Sequence, residues 1–407
     1  MNRPPPPDNV PLGELLDTAE PGMPLPFAVL DKHGRLLLAA GQRLPDGDQL
    51  QTLMERGGCV TPVEAETARA ARAARAAQAA RAQAGGAAAS ATPAPPPQRR
   101  TWFDRMEKQV WALDELLRGL QRGTTKAAQV EAFGDAHIVL VERHFDAALY
   151  LCLRQDDRRV ALYSLTHALH TATVALLTAR QLGWAPETQR CAVLAALTMN
   201  LGIVELQARM AEQNEPPNQR QMAQIRAHPM QSALLLRNAG VQDAVWLTAV
   251  EQHHERAGGA GYPQGLMAVE PVGHLLRAAD VFTAKISPRR VRVPLSPQVA
   301  ARQLFQEEQG GAIAAGLIRA VGVYPPGNFV TLKNGDTGIV LHRAVPERAI
   351  VVVSLFSAQG KPVPGSPRRD TAQPEFAITG AMAERGNLPR VLPEQVYGLL
   401  DADAPAA

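Results

Sequence analysis

His253-His254-Glu255-Arg256-Ala257-Gly258-Gly259-Ala260-Gly261-Tyr262-Pro263-Gln264-Gly265-Leu266 sets two adjacent histidines before a charged pair and a glycine-rich turn that Tyr262-Pro263 closes. Adjacent imidazoles face one pocket only where the backbone bends or a helix ends. The glycines permit positive φ and close backbone approach. Paired histidines at a helix end, running into such a loop, outline a metal or phosphate site. The rest of the chain reads as a scaffold that presents it.

Working outward, the flanking segments have helical spacing. Ala244 to His254 forms one helix. Arg220 to Ala239 forms the one before it, opened by Asn218 with Gln221 three residues on, a capping-box pattern, and it carries His228. Val160 to Leu182, ended by Gly183, carries His170, and Glu187 to Leu201 follows it. Val272 to Ile286 carries Arg277 and Asp280, and helix continues from Ser296 to Ala320. Trp102 to Leu153 reads as two helices, with Gly123 as the stop of the first. Histidines and one acid on successive helices can converge in a bundle core, which makes His170, His228, His253, His254 and Asp280 candidate metal ligands. Taken singly, each has a plainer reading as a core or rim residue. The set, with the adjacent pair beside the Gly-Tyr-Pro loop, outweighs it.

The ends of the chain differ from this all-α middle. Residues 1–11 are Pro-rich and read as disordered. Residues 12–63 read as a small α+β module: strands at Phe27 to Leu30 and Arg35 to Leu38 around a turn at Gly34, then a helix from Asp46 to Glu55. Residues 64–100 are an Ala/Arg-rich and then Pro-rich linker. The helical domain spans 101–322. In 323–363, Phe329 to Leu332 and Gly338 to Leu341 flank Asn334-Gly335, the signature of a hairpin, and Ala349 to Val353 adds a third strand. Residues 364–407 read as a loosely structured tail. The fold class is mainly α: a multi-helix bundle between a small N-terminal α+β module and a small C-terminal β unit.

Composition narrows the function. The 407-residue chain is 46% hydrophobic and 4% aromatic, with a net charge of +3. That charge is too small to argue for nucleic acid or a membrane surface. Cys59, Cys152 and Cys191 show no CxxC spacing and read as buried thiols of a reducing compartment. No signal peptide is evident, and no apolar stretch is read as reaching the ~18 residues of a transmembrane helix. A cytoplasmic protein is expected.

The His-His-Glu-Arg…Gly-Gly…Gly-Tyr-Pro…Gly-Leu stretch resembles the signature of HD-GYP domains, members of the HD phosphohydrolase group that hydrolyse cyclic di-GMP at a two- or three-metal site. The resemblance spans about Tyr163 to Gly322, with His170 to Val174, His228-Pro229 and Ala279-Asp280-Val281-Phe282 matching the family's other helices. It implies an HD-type helical bundle, cyclic di-GMP or a related nucleotide as ligand, and a loop (Arg256, Gly261, Tyr262, Pro263) that meets GGDEF-type cyclase domains. The mismatches fall on the chemistry. Where the family has Ala-Leu-Leu-His-Asp-Ile-Gly-Lys, this chain has Ala196-Leu197-Thr198-Met199-Asn200-Leu201-Gly202-Ile203. The family's next aspartate is Gly258, and its glutamate before His228 is Gln221.

In the family the lost aspartate bridges two metals. Two divalent ions ~3.7 Å apart repel by roughly 18 kcal/mol at an effective dielectric of about 20. An anionic bridge offsets much of this, and the neutral amide of Asn200 does not. Met199 is a poor ligand for hard or borderline dications, and Ile203 removes a cation that would meet phosphate. The reading is therefore a degenerate phosphodiesterase acting by nucleotide or partner binding. It would hold one divalent transition metal (Fe, Mn or Zn) or none. An active enzyme with an altered metal site, and a pure interaction module, are the competing readings. Arg277, Arg289, Arg290 and Arg292 are candidate phosphate contacts, since guanidinium forks match phosphate oxygens.

Overall fold

The capping patterns form where the sequence places them. In the computed structural model, Asn218 accepts from the Gln221 amide at 2.9 Å and Gln221 returns the bond to Asn218 N. Thr101 and Asp104 close a second capping box. The residues described are 9–18, 25, 27–31, 36–38, 53–55, 57–62, 64–69, 101–154, 160, 162–290, 293–382, 391, 393–398 and 400. The chain divides into two units, 1–100 with 157–162, and 101–156 with 163–407.

The first unit holds a four-stranded antiparallel sheet of β1 (Val10–Pro11), β2 (Val29–Leu30), β3 (Leu36–Leu38) and β4 (Cys59–Val60), in the order β1-β4-β2-β3. Val29 pairs with Leu38, so the expected hairpin is present, although its turn lies outside the described residues. Leu12, Leu15, Phe27, Leu37 and Leu53 are among its buried side chains. Of the expected helix from Asp46, residues 53–55 are described and helical. Of the Ala/Arg linker, 64–69 are described and helical.

The second unit begins with eleven helices. They are α1 (Trp102–Arg122), α2 (Ala127–Arg143), α3 (Phe145–Leu153), α4 (Tyr163–Gln181), α5 (Pro186–Thr198), α6 (Val204–Glu212), α7 (Gln219–Asn238), α8 (Ala244–Gln252), α9 (Pro271–Ile286), α10 (Pro297–Glu307) and α11 (Ala312–Val321). Helix α4 is central, with α3, α5, α9 and α11 packed around it. Gly123 ends α1 in the left-handed region, where glycine carries no steric penalty. Three expectations change. The first stretch is three helices, because His144 breaks the second from the third with non-helical φ and ψ. Ser296 to Ala320 is two helices, split at Gln309-Gly310, both at positive φ. Helix α6 was not anticipated.

After Gly327 the chain forms a five-stranded antiparallel sheet, ordered β8-β7-β6-β5-β9, from β5 (Phe329–Leu332), β6 (Thr337–His342), β7 (Val351–Phe356), β8 (Arg368–Asp370) and β9 (Ile378–Ala381). This corrects the loosely structured tail. Its short strands lack an alternating pattern of their own and form by pairing with the edges of β7 and β5. A last helix, α12 (Pro393–Tyr397), buries Val396 against this sheet.

The run Pro186–Glu212 is long and apolar enough to cross a membrane by length and composition, contrary to expectation. However, 72% of its apolar window is buried, and it comprises α5 and α6 with the turn between them. It is a core segment of the bundle. The described cysteines are free and buried, as expected.

Candidate metal centre

His228 comes from α7, while His253 and His254 lie where α8 ends. Their ligand-capable nitrogens lie within 4.8 Å of one another. His228 Nδ1 is 2.6 Å from the Ile225 carbonyl, and His253 Nδ1 is 2.7 Å from the Val250 carbonyl. A carbonyl only accepts, so both Nδ1 atoms carry the proton. Both Nε2 atoms then present lone pairs, and they face each other at 3.0 Å. Burial, and then the neighbouring His253, push the His228 imidazolium down to about 3. Burial likewise lowers His253 and His254. Opposed lone pairs on neutral rings repel unless a cation lies between them. The donor set therefore fits a borderline divalent transition metal. Among the described residues no carboxylate joins the cluster.

Asp280 has a different partner. His167 Nε2 donates to Asp280 Oδ1 at 2.7 Å, and both residues are buried. Burial alone would raise the Asp280 carboxyl. The His167 hydrogen bond holds it below the usual carboxylate range. The His167 ring stacks on Tyr163 with centroids 5.1 Å apart, and the Arg289 guanidinium lies over that tyrosine and bonds its hydroxyl. His170, the expected ligand on this helix, is placed differently from the triad. It lies one turn further along α4, is half-buried, and is not in the imidazole cluster. Spacing did not separate the two histidines, because α4 is buried almost all round and leaves no amphipathic phase to read.

The loop after His254 is organised by a residue the sequence reading treated only as part of a charged pair. Glu255 is 1% exposed. Its carboxylate accepts from the backbone N–H of Gln264 at 2.6 Å, Gly265 at 3.2 Å and Leu266 at 3.1 Å. It satisfies three backbone donors and folds the loop back onto the helix end. A Cβ on Gly261 would sit 2.3 Å from Arg256 N and 2.4 Å from Glu255 Cα, so only glycine fits. Tyr262-Pro263 is a cis peptide. The Tyr262 ring stacks on His254 with centroids 4.6 Å apart, and Arg256 is exposed.

The departures from the family pattern also have places. Met199 is fully buried, and Asn200 begins the 3-10 turn Leu201–Ile203. This turn lies against α7: Gly202 N donates to Ser232 Oγ at 2.9 Å, and a Cβ there would meet the His228 carbonyl at 3.3 Å. Ile203 is buried, an apolar side chain in the core. Arg277 is buried against Glu308, and Arg290 is exposed. Arg292 lies outside the described residues.

Residues 152–311 match the HD domain family model. The cyclic di-GMP phosphodiesterase PA4108 of Pseudomonas aeruginosa is 28% identical over 282 residues, covering 62% of this chain and 66% of that protein. The match thus spans just under two thirds of that relative's length. Bd1817, an HDG"Y"P protein from Bdellovibrio bacteriovorus, aligns over 74% of this chain and 96% of its own, with 14% identity and a TM-score of 0.43. The helical unit thus contains a segment similar to HD domains, and the chain is similar in sequence to a cyclic di-GMP phosphodiesterase.

Proposed function

We propose that this chain is a degenerate HD-GYP protein that binds one divalent transition metal through His228, His253 and His254. It takes part in cyclic di-GMP signalling by binding the nucleotide or a partner, with little or no hydrolysis. The observation that carries this reading is the contrast at Asn200 and Met199. The segment beside His228 offers a neutral amide and a thioether where a metal pair needs an anionic bridge and an imidazole. His167 and Asp280 meanwhile satisfy each other directly. The three imidazoles supply the lone pairs for a metal, and Tyr262 packs over one of them. The metal would supply Lewis acidity toward a phosphate oxygen. The loop bearing Arg256, Gly261, Tyr262 and Pro263 is the surface for a GGDEF-type cyclase domain.

The name of the relative PA4108 favours a second reading, an active phosphodiesterase with an altered site. Metal analysis of the purified chain, with a cyclic di-GMP turnover assay, separates the two. One metal per chain and negligible turnover are expected. Two tightly held metals with turnover would establish the second reading instead.

A further inference from the structure

Arg277 is not a free cation waiting for phosphate. It stands one turn after His274 and one turn before Asp280 on α9. Glu308, the residue that closes α10, reaches across to both: His274 Nε2 bonds Oε2, and Arg277 Nη1 bonds Oε1. The Arg277 and Glu308 side chains are each 10% exposed. This pair belongs to the surroundings of the histidine cluster. Helix α9 packs against α8, whose end carries His253 and His254.

A carboxylate held through both oxygens by a guanidinium and an imidazole occupies a geometry that two phosphate oxygens also satisfy. A buried ion pair is weak evidence for stability, because desolvation of both charges offsets most of their attraction. Glu308 is followed by Gln309 at φ 50° and Gly310 at φ 78°. It therefore sits at the end of a helix, on a turn, and rotation about its side-chain bonds frees the two donors without unwinding α10.

We propose that His274 and Arg277 form an anion subsite beside the three-histidine cluster, and that Glu308 plugs it, so that a phosphate-bearing ligand enters only by displacing the Glu308 carboxylate. This rests on the nucleotide-binding reading above and adds to it the group that competes with the ligand. The plainer alternative is a brace tying α10 to α9. A brace gives no gain in binding when it is cut.

The test is calorimetry on the full chain with cyclic di-GMP and, separately, inorganic phosphate. Glu308→Gln is expected to bind cyclic di-GMP about tenfold more tightly than wild type, the scale of releasing one competing charge contact. The gain should be absent from Glu308→Gln combined with Arg277→Gln. A gain for inorganic phosphate as well identifies the phosphate group as the moiety recognised. Should Glu308→Gln fail to fold by circular dichroism, Glu308→Asp replaces it. Its side chain, one methylene shorter, does not span both donors, and a smaller gain is expected. Binding by wild type with no gain in the folded variant overturns the plug and leaves the nucleotide reading standing. Absence of cyclic di-GMP binding by wild type and variant alike overturns both.

Discussion

The site has two sides with opposite electrostatic needs. On one, His228 and His253 aim unprotonated Nε2 atoms at each other across 3.0 Å, with His254 beside them. On the other, His167 gives its Nε2 proton to Asp280 across 2.7 Å. The first arrangement is unfavourable until a cation enters. The second is complete as it stands, since donor and acceptor satisfy each other in a buried setting. Both sides come from the same bundle, and the Asp280 charge is felt at His253. The difference lies in which side kept a full donor set. Three neutral imidazoles remain on one. On the other, the His167–Asp280 bond leaves neither partner calling for a cation.

The largest expected effect breaks the first side. His253→Ala removes one of the facing nitrogens and leaves His228 with a single ring neighbour. Metal content, by elemental analysis of the purified chain, is expected to fall from one per chain to none. An unchanged content would move the metal elsewhere and end the comparison. The next effect adds ligands at Met199 and Asn200, on the segment packed beside His228. Met199→His with Asn200→Asp restores an imidazole and an anionic bridge, and metal content is expected to rise from one to two. Turnover of cyclic di-GMP should then rise by about 10³-fold, the upper range for one preorganised electrostatic element. If metal content stays at one, a second metal needs more than these two ligands.

His137 sharpens the comparison as a control. It is fully buried, as His228 and His253 are, but both its nitrogens have partners, Gln109 at 2.6 Å and Thr173 at 3.2 Å. Burial pushes it down to about 4. The unfolded chain therefore binds the extra proton. The contribution of His137 to stability is complete above about pH 6.5 and is lost as pH falls toward 4. Between pH 7 and pH 5 the loss is about 2 kcal/mol. Urea unfolding of His137→Gln at the two pH values should show a drop smaller by about that amount. An identical drop in wild type and variant would mean that His137 is not desolvated.

The smallest effect tests whether the loop is independent of the metal. Glu255→Gln turns an amide toward the Leu266 N–H and leaves that donor without an acceptor, at a cost of about 1–2 kcal/mol. The loop should become more sensitive to limited proteolysis while metal content holds. Loss of metal in this variant would show that Glu255 also fixes the histidines.

Much of this was legible along the chain. Helix starts were written in Asn218 with Gln221, and the hairpin in Asn334-Gly335. These signals act within a few residues and need no partner. Strands β8 and β9 were not legible, because their order comes from the edges they pair with. The same division runs through the site. Paired histidines before a Gly-Tyr-Pro loop, and the neutral residues at Met199 and Asn200, are matters of residue type and are read directly from the chain. Packing alone brings His167 to Asp280. It also decided that Glu255 ties down the loop and that Arg277 faces Glu308. Each is a contact between residues far apart in the chain or set by the rotation of one buried helix. Residue type says which atoms can bond. Packing says which of them meet.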